Sequence, residues 1–310
     1  MTLGYDRPLY ILAFDHRGSF QERFFGIEGR RPTPEEAARI SDAKRVIFEG
    51  FLRALEEGVP REHGGILVDE EFGADIARKA RAEGLIFAMP VEKSGQHEFD
   101  FEYGEAFGEH IEEFDPTFAK VLVRYNPEGD RAMNARQAAR LRRLSEWLHE
   151  RGRRFLFELL VPAEPHQLEA VGGDAARYDR EVRPGLMLRA IEELHGAGVE
   201  PDVWKIEGLD RREDCEAVAR AVRAGGRDGV ACVVLGRGAD RAAVDHWLRQ
   251  GAGVPGYVGF AIGRTIWWDP LQGYVDGTLP RDEATRLVAA NYRGHIEVYR
   301  RAAEEASGWP

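Results

Sequence analysis

The sequence predicts a closed (β/α)8 barrel, with residues 1–310 forming a single domain. Three observations lead there. Short apolar runs alternate with helix-period segments eight times, the pattern of repeated βα units. No linker-like stretch, internal repeat or low-complexity segment divides the chain, and α/β barrels run near this length as one unit. Each apolar run also ends in polar or charged residues, as expected where eight strand ends converge on one face. An open doubly wound sheet is the competing architecture, but the first strand lacks that fold's glycine fingerprint.

The first strand covers about Leu9 to Asp15. The helix after it runs from about Pro34 to Glu57, with Thr33 as N-cap and Pro34 at the first helical position. Gly65 to Asp69 forms the second strand, followed by a helix from about Ala74 to Glu83. The third strand is Leu85 to Val91. An acidic and aromatic segment, Gln96 to Asp115, then carries only a short helix. Strand four is Phe118 to Tyr125, with a helix from about Asn134 to Arg151. Strand five is Phe155 to Val161; a polar loop and a helix from about Pro184 to Gly196 follow. The sixth strand, Val203 to Leu209, precedes a helix from about Arg211 to Arg223. Val230 to Leu235 and Tyr257 to Ile262 complete the barrel, with helices from about Asp240 to Gln250 and Arg281 to Ala303.

Composition narrows the function classes. A formal charge of −11 argues against a nucleic-acid partner, and an anionic substrate would need its own local basic site. Two cysteines, Cys215 and Cys232, imply no disulfide framework and fit a reducing cytoplasm. The first residues hold no apolar targeting core, and no apolar run is long enough to span a membrane. Of 43 basic residues only five are lysine (Lys44, Lys79, Lys93, Lys120, Lys205), and the other 38 are arginine. Arginine cannot deprotonate or form an imine, whereas lysine can. Lys44 and Lys79 lie in charged helical surroundings and read as solvated surface. Lys93, Lys120 and Lys205 lie in or just after apolar strands.

Period-2 geometry puts Val203, Lys205 and Glu207 on one strand face. Glu158 shares a face with Leu156 and Leu160, and Lys120 with Phe118, Leu122 and Arg124. Two lysines and one glutamate on three successive strands point to chemistry as well as to a buried ion pair. In the chemical reading Lys205 is an imine-forming nucleophile, Glu158 shuttles its protons, and the Lys120 cation favours the neutral amine of Lys205. Asp15 ends strand one, where it orients a substrate hydroxyl, joins in proton transfer, or caps the next loop. Gly236-Arg237 and Gly263-Arg264 follow strands seven and eight, where barrels of this kind bind phosphate. Arg17 and Arg124 are candidates for a second anionic group. No histidine pair has metal-ligand spacing, so a zinc site is not indicated; carboxylate-held magnesium stays open. The Trp267-Trp268 pair and the Phe99/Phe101/Tyr103 stripe read as packing or a subunit contact.

Several motifs resemble a known family: Ala13-Phe14-Asp15-His16-Arg17, Leu67-Val68-Asp69-Glu70, Pro90-Val91-Glu92, Pro201-Asp202-Val203-Trp204-Lys205-Ile206-Glu207 and Gly259-Phe260-Ala261-Ile262-Gly263-Arg264-Thr265-Ile266. They look like the aldolase domain of myo-inositol catabolism, 2-deoxy-5-keto-gluconate-6-phosphate aldolase. That domain is often fused behind a 5-dehydro-2-deoxygluconokinase, for which 310 residues leave no room. The resemblance covers nearly the whole chain. More distantly the chain is similar to class I tagatose-bisphosphate and sulfofructose-phosphate aldolases, which are (β/α)8 barrels. There a strand-six lysine forms the Schiff base, matching Lys205. A strand-five glutamate does acid/base work, matching Glu158. A strand-four lysine assists, matching Lys120, and a strand-one aspartate touches substrate, matching Asp15. The resemblance implies a cofactor-free lyase acting on a small phosphorylated sugar, expected in the cytoplasm as a homo-oligomer. A sugar-phosphate isomerase and a non-catalytic sugar-phosphate sensor are the readings from other classes.

Overall fold

A computed structural model describes residues 2–308. Eight parallel strands close in the order β1 to β8, each hydrogen-bonded to its sequence neighbours and β8 back to β1. They are β1 Leu9–Ala13, β2 Gly64–Leu67, β3 Ile86–Pro90, β4 Phe118–Arg124, β5 Arg154–Leu160, β6 Val203–Glu207, β7 Ala231–Leu235 and β8 Tyr257–Ile262. The (β/α)8 barrel expected from the alternation is therefore the fold, with strand ends shifted by at most two residues.

Two apolar layers hold it together. Inward residues such as Ile11, Ala13, Leu67, Phe118, Leu156, Val203 and Val233 fill the barrel. The outward residues of the same strands join the helices in a second, larger core. Tyr5 closes the amino-terminal end, its ring edge-on to Phe118 at 5.4 Å. With that end plugged, the cavity opens at the carboxyl ends of the strands.

The helices are α1 Gly18–Phe25, α2 Pro34–Glu56, α3 Glu70–Ala82, α4 Phe107–Phe114, α5 Arg131–Glu150, α6 Pro165–Ala170, α7 Ala175–Arg177, α8 Arg183–Gly196, α9 Arg212–Arg223, α10 Arg241–Gly251, α11 Arg264–Val275 and α12 Arg281–Ala306. Thr33 caps α2 in a full capping box with Glu36, ahead of Pro34. Helix α3 starts at Glu70 rather than Ala74, because Asp69 accepts the Phe72 amide at 2.9 Å and caps it. Helices α1, α6, α7 and α11 are additions to the sequence reading. The Trp267-Trp268 pair belongs to α11, where Trp267 is buried and donates to the Ala13 carbonyl at 2.9 Å; packing is its role within this chain. No helix among the described residues is long and apolar enough to cross a membrane.

One lysine was misread. Lys44 is not solvated: its side chain is fully buried. It sits one helical turn from Ile40, Ile47 and Phe48 on the inner face of α2. Its ammonium pairs with Asp69 and donates to the carbonyls of Phe14 (2.9 Å) and His16 (3.0 Å). It thereby fixes the turn that leaves β1 and carries Asp15. Lys79, in contrast, is about half exposed, as expected.

Candidate active site

Strand register brings the charged residues together. Glu158 on β5 lies directly opposite Lys205 on β6, and Leu122 on β4 opposite Glu158. Lys120 shares the face of Leu122 on β4, so the polar ends of Lys120, Glu158 and Lys205 meet inside the barrel. Lys205 is only 3 % exposed and borders a cavity of about 900 Å³, within the usual size range for small-molecule sites.

The two lysines are held differently. The Lys120 ammonium lies 2.7 Å from Glu92, 2.8 Å from Asp15 and 3.2 Å from Glu158. Lys205 meets one carboxylate, Glu158, at 3.0 Å. Burial works against the charge on Lys120, but the three carboxylates overcome it and hold the ammonium well above the ordinary lysine range. Burial likewise pushes Asp15 up, and Lys120 and Lys205 more than reverse it, leaving the carboxyl well below its usual range. Glu158 ends below its usual value by the same balance. For Glu92 burial wins, and the carboxyl is raised despite Lys120 and Arg17.

This arrangement corrects one expectation. Lys120 is not a bare cation acting on Lys205, because its charge faces three carboxylates. The five groups together carry two positive and three negative formal charges, and Glu158 is shared between both ammoniums. Lys120 fixes Asp15, Glu92 and Glu158 in place; Lys205, which lines the same cavity, is tied to Glu158 alone. Glu92 was quoted only within a strand-end motif. It lies just past β3, in an isolated bridge with Phe101, and its carboxylate reaches Lys120.

The basic residues divide more sharply than the sequence suggested. Arg17 is buried and donates to the Glu92 carbonyl at 2.7 Å and to Glu102 at 3.3 Å. Arg237 binds Asp179 at 2.8 Å and Glu207 at 3.1 Å. Both guanidiniums are thus already paired with protein carboxylates, so neither is the unpaired cation the sequence had suggested. Among the described residues bordering the cavity, Arg23, Lys93, Arg124 and Arg264 form no ion pair. Arg264 donates to the Arg237 carbonyl at 2.9 Å, while burial and repulsion from Arg23 pull its guanidinium down from the usual arginine range. Arg23 lies on α1, a helix the sequence reading did not contain, which is why it was missed.

Two glycines shape this corner. Gly263 opens α11, and a Cβ there would run into the Ala13 carbonyl and meet His16 Cε1 at 3.2 Å. Gly238 has φ +72°, and a Cβ on it would occupy the place of the Arg264 guanidinium. Gly236 is buried at the end of β7. Neither α1 nor α11 has a side-chain cap on its first amides, so both helix starts offer N–H donors, those of α11 beside Arg264. His16 also borders the cavity; burial, with help from Arg264, Lys44 and Lys205 and opposition from Asp15, lowers its pKa to about 4. No group of three or more His, Cys, Asp or Glu among the described residues is placed to hold a metal ion.

Fold and site together define a (β/α)8 barrel protein with an enclosed amine–carboxylate centre at the carboxyl-terminal mouth. Within that class, the chain belongs to the bacterial family described as "Uncharacterized protein conserved in bacteria (DUF2090)", whose model matches residues 5–303. No curated protein matches the chain. Among solved structures it is similar to a fructose-bisphosphate aldolase from Plasmodium falciparum, crystallised with TRAP and a small-molecule inhibitor. That likeness has a TM-score of 0.65 at 14 % identity, covering 95 % of this chain and 91 % of that one. It is also similar to Cgl0159 from Corynebacterium glutamicum, with a TM-score of 0.54 at 18 % identity, covering 94 % and 88 % of the two chains. At these identities the likeness is one of fold.

Proposed function

We propose that the chain is a Schiff-base (class I) aldolase that cleaves a phosphorylated keto-sugar acid. The substrate that the motifs favour is 2-deoxy-5-keto-D-gluconate 6-phosphate, split into dihydroxyacetone phosphate and malonate semialdehyde. The observation that carries the reading is the asymmetry of the two buried lysines. Both line the ligand-sized cavity, but Lys120 is surrounded by three carboxylates, whereas Lys205 has one acid partner.

In this reading Lys205 gives a proton to Glu158 and attacks the substrate ketone. Glu158 returns that proton to the carbinolamine oxygen, which leaves as water, and an iminium forms. Asp15, kept ionised by Lys120, accepts the hydrogen bond of the hydroxyl on the carbon that departs as aldehyde. That hydroxyl proton passes to Asp15 as the C–C bond breaks, the electron pair moves into the iminium to give an enamine, and Asp15 then supplies the proton that the enamine takes up. Protonation of the enamine and addition of water release the ketone product and restore Lys205. Arg264, Arg23 and the first amides of α1 and α11 hold the phosphate. Gly236 and Gly263 form the turns behind it, and Gly238 gives the Arg264 guanidinium its room.

The test is borohydride reduction in the presence of dihydroxyacetone phosphate, followed by peptide mass mapping. A reduced adduct on Lys205, absent from Lys205→Met, is the expected outcome. Full turnover by Lys205→Arg would remove the imine step.

A further inference from the structure

We infer that Lys93, Gln96 and Arg124 form a second anion site, across the mouth from the phosphate corner, which selects a substrate whose aldehyde half is itself anionic. The inference rests on the imine-aldolase reading and specifies which end of the substrate each wall holds.

Ring closure fixes the opposition. In the order β1 to β8, strand β4 lies across the barrel from β8. Arg124 ends β4 and Lys93 follows β3, whereas Arg264 follows β8 and Arg23 lies on the helix after β1. The four cavity-lining cations without an acid partner thus fall into two pairs on opposing walls. Lys205 on β6 stands two strands from β4 and two from β8. A ligand bridging the pairs presents its middle to that amine.

The far pair has a third member. The loop from Glu92 to Phe101 is tied down at both ends: the Lys93 amide donates to the Asp100 carbonyl at 3.0 Å, and the Phe99 amide to Gln137 at 2.7 Å. Inside it the Gln96 side-chain oxygen accepts the Asp100 amide at 2.7 Å, and the Gln96 carbonyl accepts from Arg124 at 2.8 Å. These bonds leave the Gln96 side-chain N–H₂ out of water and without a partner, in the wall of the cavity. A buried donor left unpaired is unfavourable, and an oxygen anion would satisfy it. Two unpaired cations beside an unpaired amide donor, in a chain of net charge −11, form a local site for carboxylate, phosphate or sulfonate oxygens.

The chemical consequence concerns the reverse reaction. Dihydroxyacetone phosphate occupies the Lys205 side with its phosphate near Arg264. The incoming aldehyde brings its charge to Lys93, Gln96 and Arg124. Condensation is therefore selective for an anionic aldehyde over a neutral one of equal length.

The experiment measures condensation of dihydroxyacetone phosphate with malonate semialdehyde, glyceraldehyde 3-phosphate, sulfoacetaldehyde and neutral propionaldehyde. It compares wild type with Lys93→Met, Lys93→Arg and Arg124→Gln. The wild-type kcat/KM is expected to favour at least one anionic aldehyde over propionaldehyde by about 100-fold, with the best of the three identifying the anion. That ratio should fall about 10-fold or more in Lys93→Met and in Arg124→Gln, through KM, and recover in Lys93→Arg. Wild type that shows no preference for charge, while dihydroxyacetone phosphate still gives the reduced Lys205 adduct, overturns the second site and leaves the imine reading standing. A preference that survives both substitutions overturns it too. No Lys205 adduct with any ketose phosphate overturns both.

Discussion

The two buried lysines should respond to the same substitution very differently. In Lys120→Met the apolar stem keeps its packing, but Asp15, Glu92 and Glu158 lose the ammonium they share. Removing one side of a buried charge pair costs about 3–5 kcal/mol, because the remaining charge is left uncompensated. In Lys205→Met only Glu158 loses a partner, and it still lies 3.2 Å from Lys120, so the loss is about 1 kcal/mol. Unfolding entropy of roughly 2.1 cal/mol/K per residue gives this chain about 0.65 kcal/mol/K. The Lys120 change then lowers Tm by about 5–8 °C at pH 7, and the Lys205 change by about 1–2 °C. Acid should narrow the gap. In wild type Asp15 and Glu158 sit below their usual range, so their stabilisation is present above that range and fades as pH falls. Without Lys120 the crowded carboxylates rise instead and fold best when protonated, so that variant gains on acidification. Thermal melts followed by circular dichroism between pH 7 and about pH 3 measure both effects. Equal Tm losses for the two variants, or a gap that widens in acid, would refute the asymmetry on which the choice of Lys205 rests.

Three further outcomes follow from particular contacts. Lys44→Met should destabilise the fold by about 3–4 kcal/mol, since it strands the buried Asp69 carboxylate and two carbonyls; denaturant unfolding reads this directly. Arg264→Gln should raise KM for a phosphorylated ketose about 10-fold, whereas Arg237→Gln, whose donors already serve Asp179 and Glu207, should raise it under about threefold. Gly238→Ala places a Cβ where the Arg264 guanidinium sits and strains a φ of +72°. Its KM should rise with that of Arg264→Gln while its stability falls by only about 1 kcal/mol.

Strand periodicity carried much of this site. Alternation along β4, β5 and β6 puts Lys120, Glu158 and Lys205 on inward faces, and the register then pairs Glu158 with Lys205. Side chains in regular strands were legible because a strand leaves them only two directions. Loop-borne contacts were not. Whether Arg17 or Arg237 is free depends on Glu102 and Asp179, residues far away in sequence whose approach no local pattern encodes. Glu92 and Gln96 were missed as site residues for the same reason, lying in an irregular turn. The Lys44 error differs, because its signal was present. Helical spacing from Ile40 and to Ile47 and Phe48 puts it on the apolar face, and its charge hid that fact.

The burial of Lys44 also changes what scarce lysine signifies in this chain. Of the five lysines, Lys44, Lys120 and Lys205 are all nearly inaccessible to water. Each donates from a single compact nitrogen, converging on carbonyls and carboxylates in a way the broad planar guanidinium does not reproduce. Retention of lysine in an arginine-rich chain therefore marks confined ammonium sites, of which an imine site is one kind. What separates the three is the count of acceptors around the nitrogen. Lys44 has Asp69 and two carbonyls, Lys120 has three carboxylates, and Lys205 has one carboxylate. A nucleophilic amine must be able to give up its proton and must face its electrophile. Lys205 has the fewest acceptors of the three, and that is what favours it for the proposed imine role.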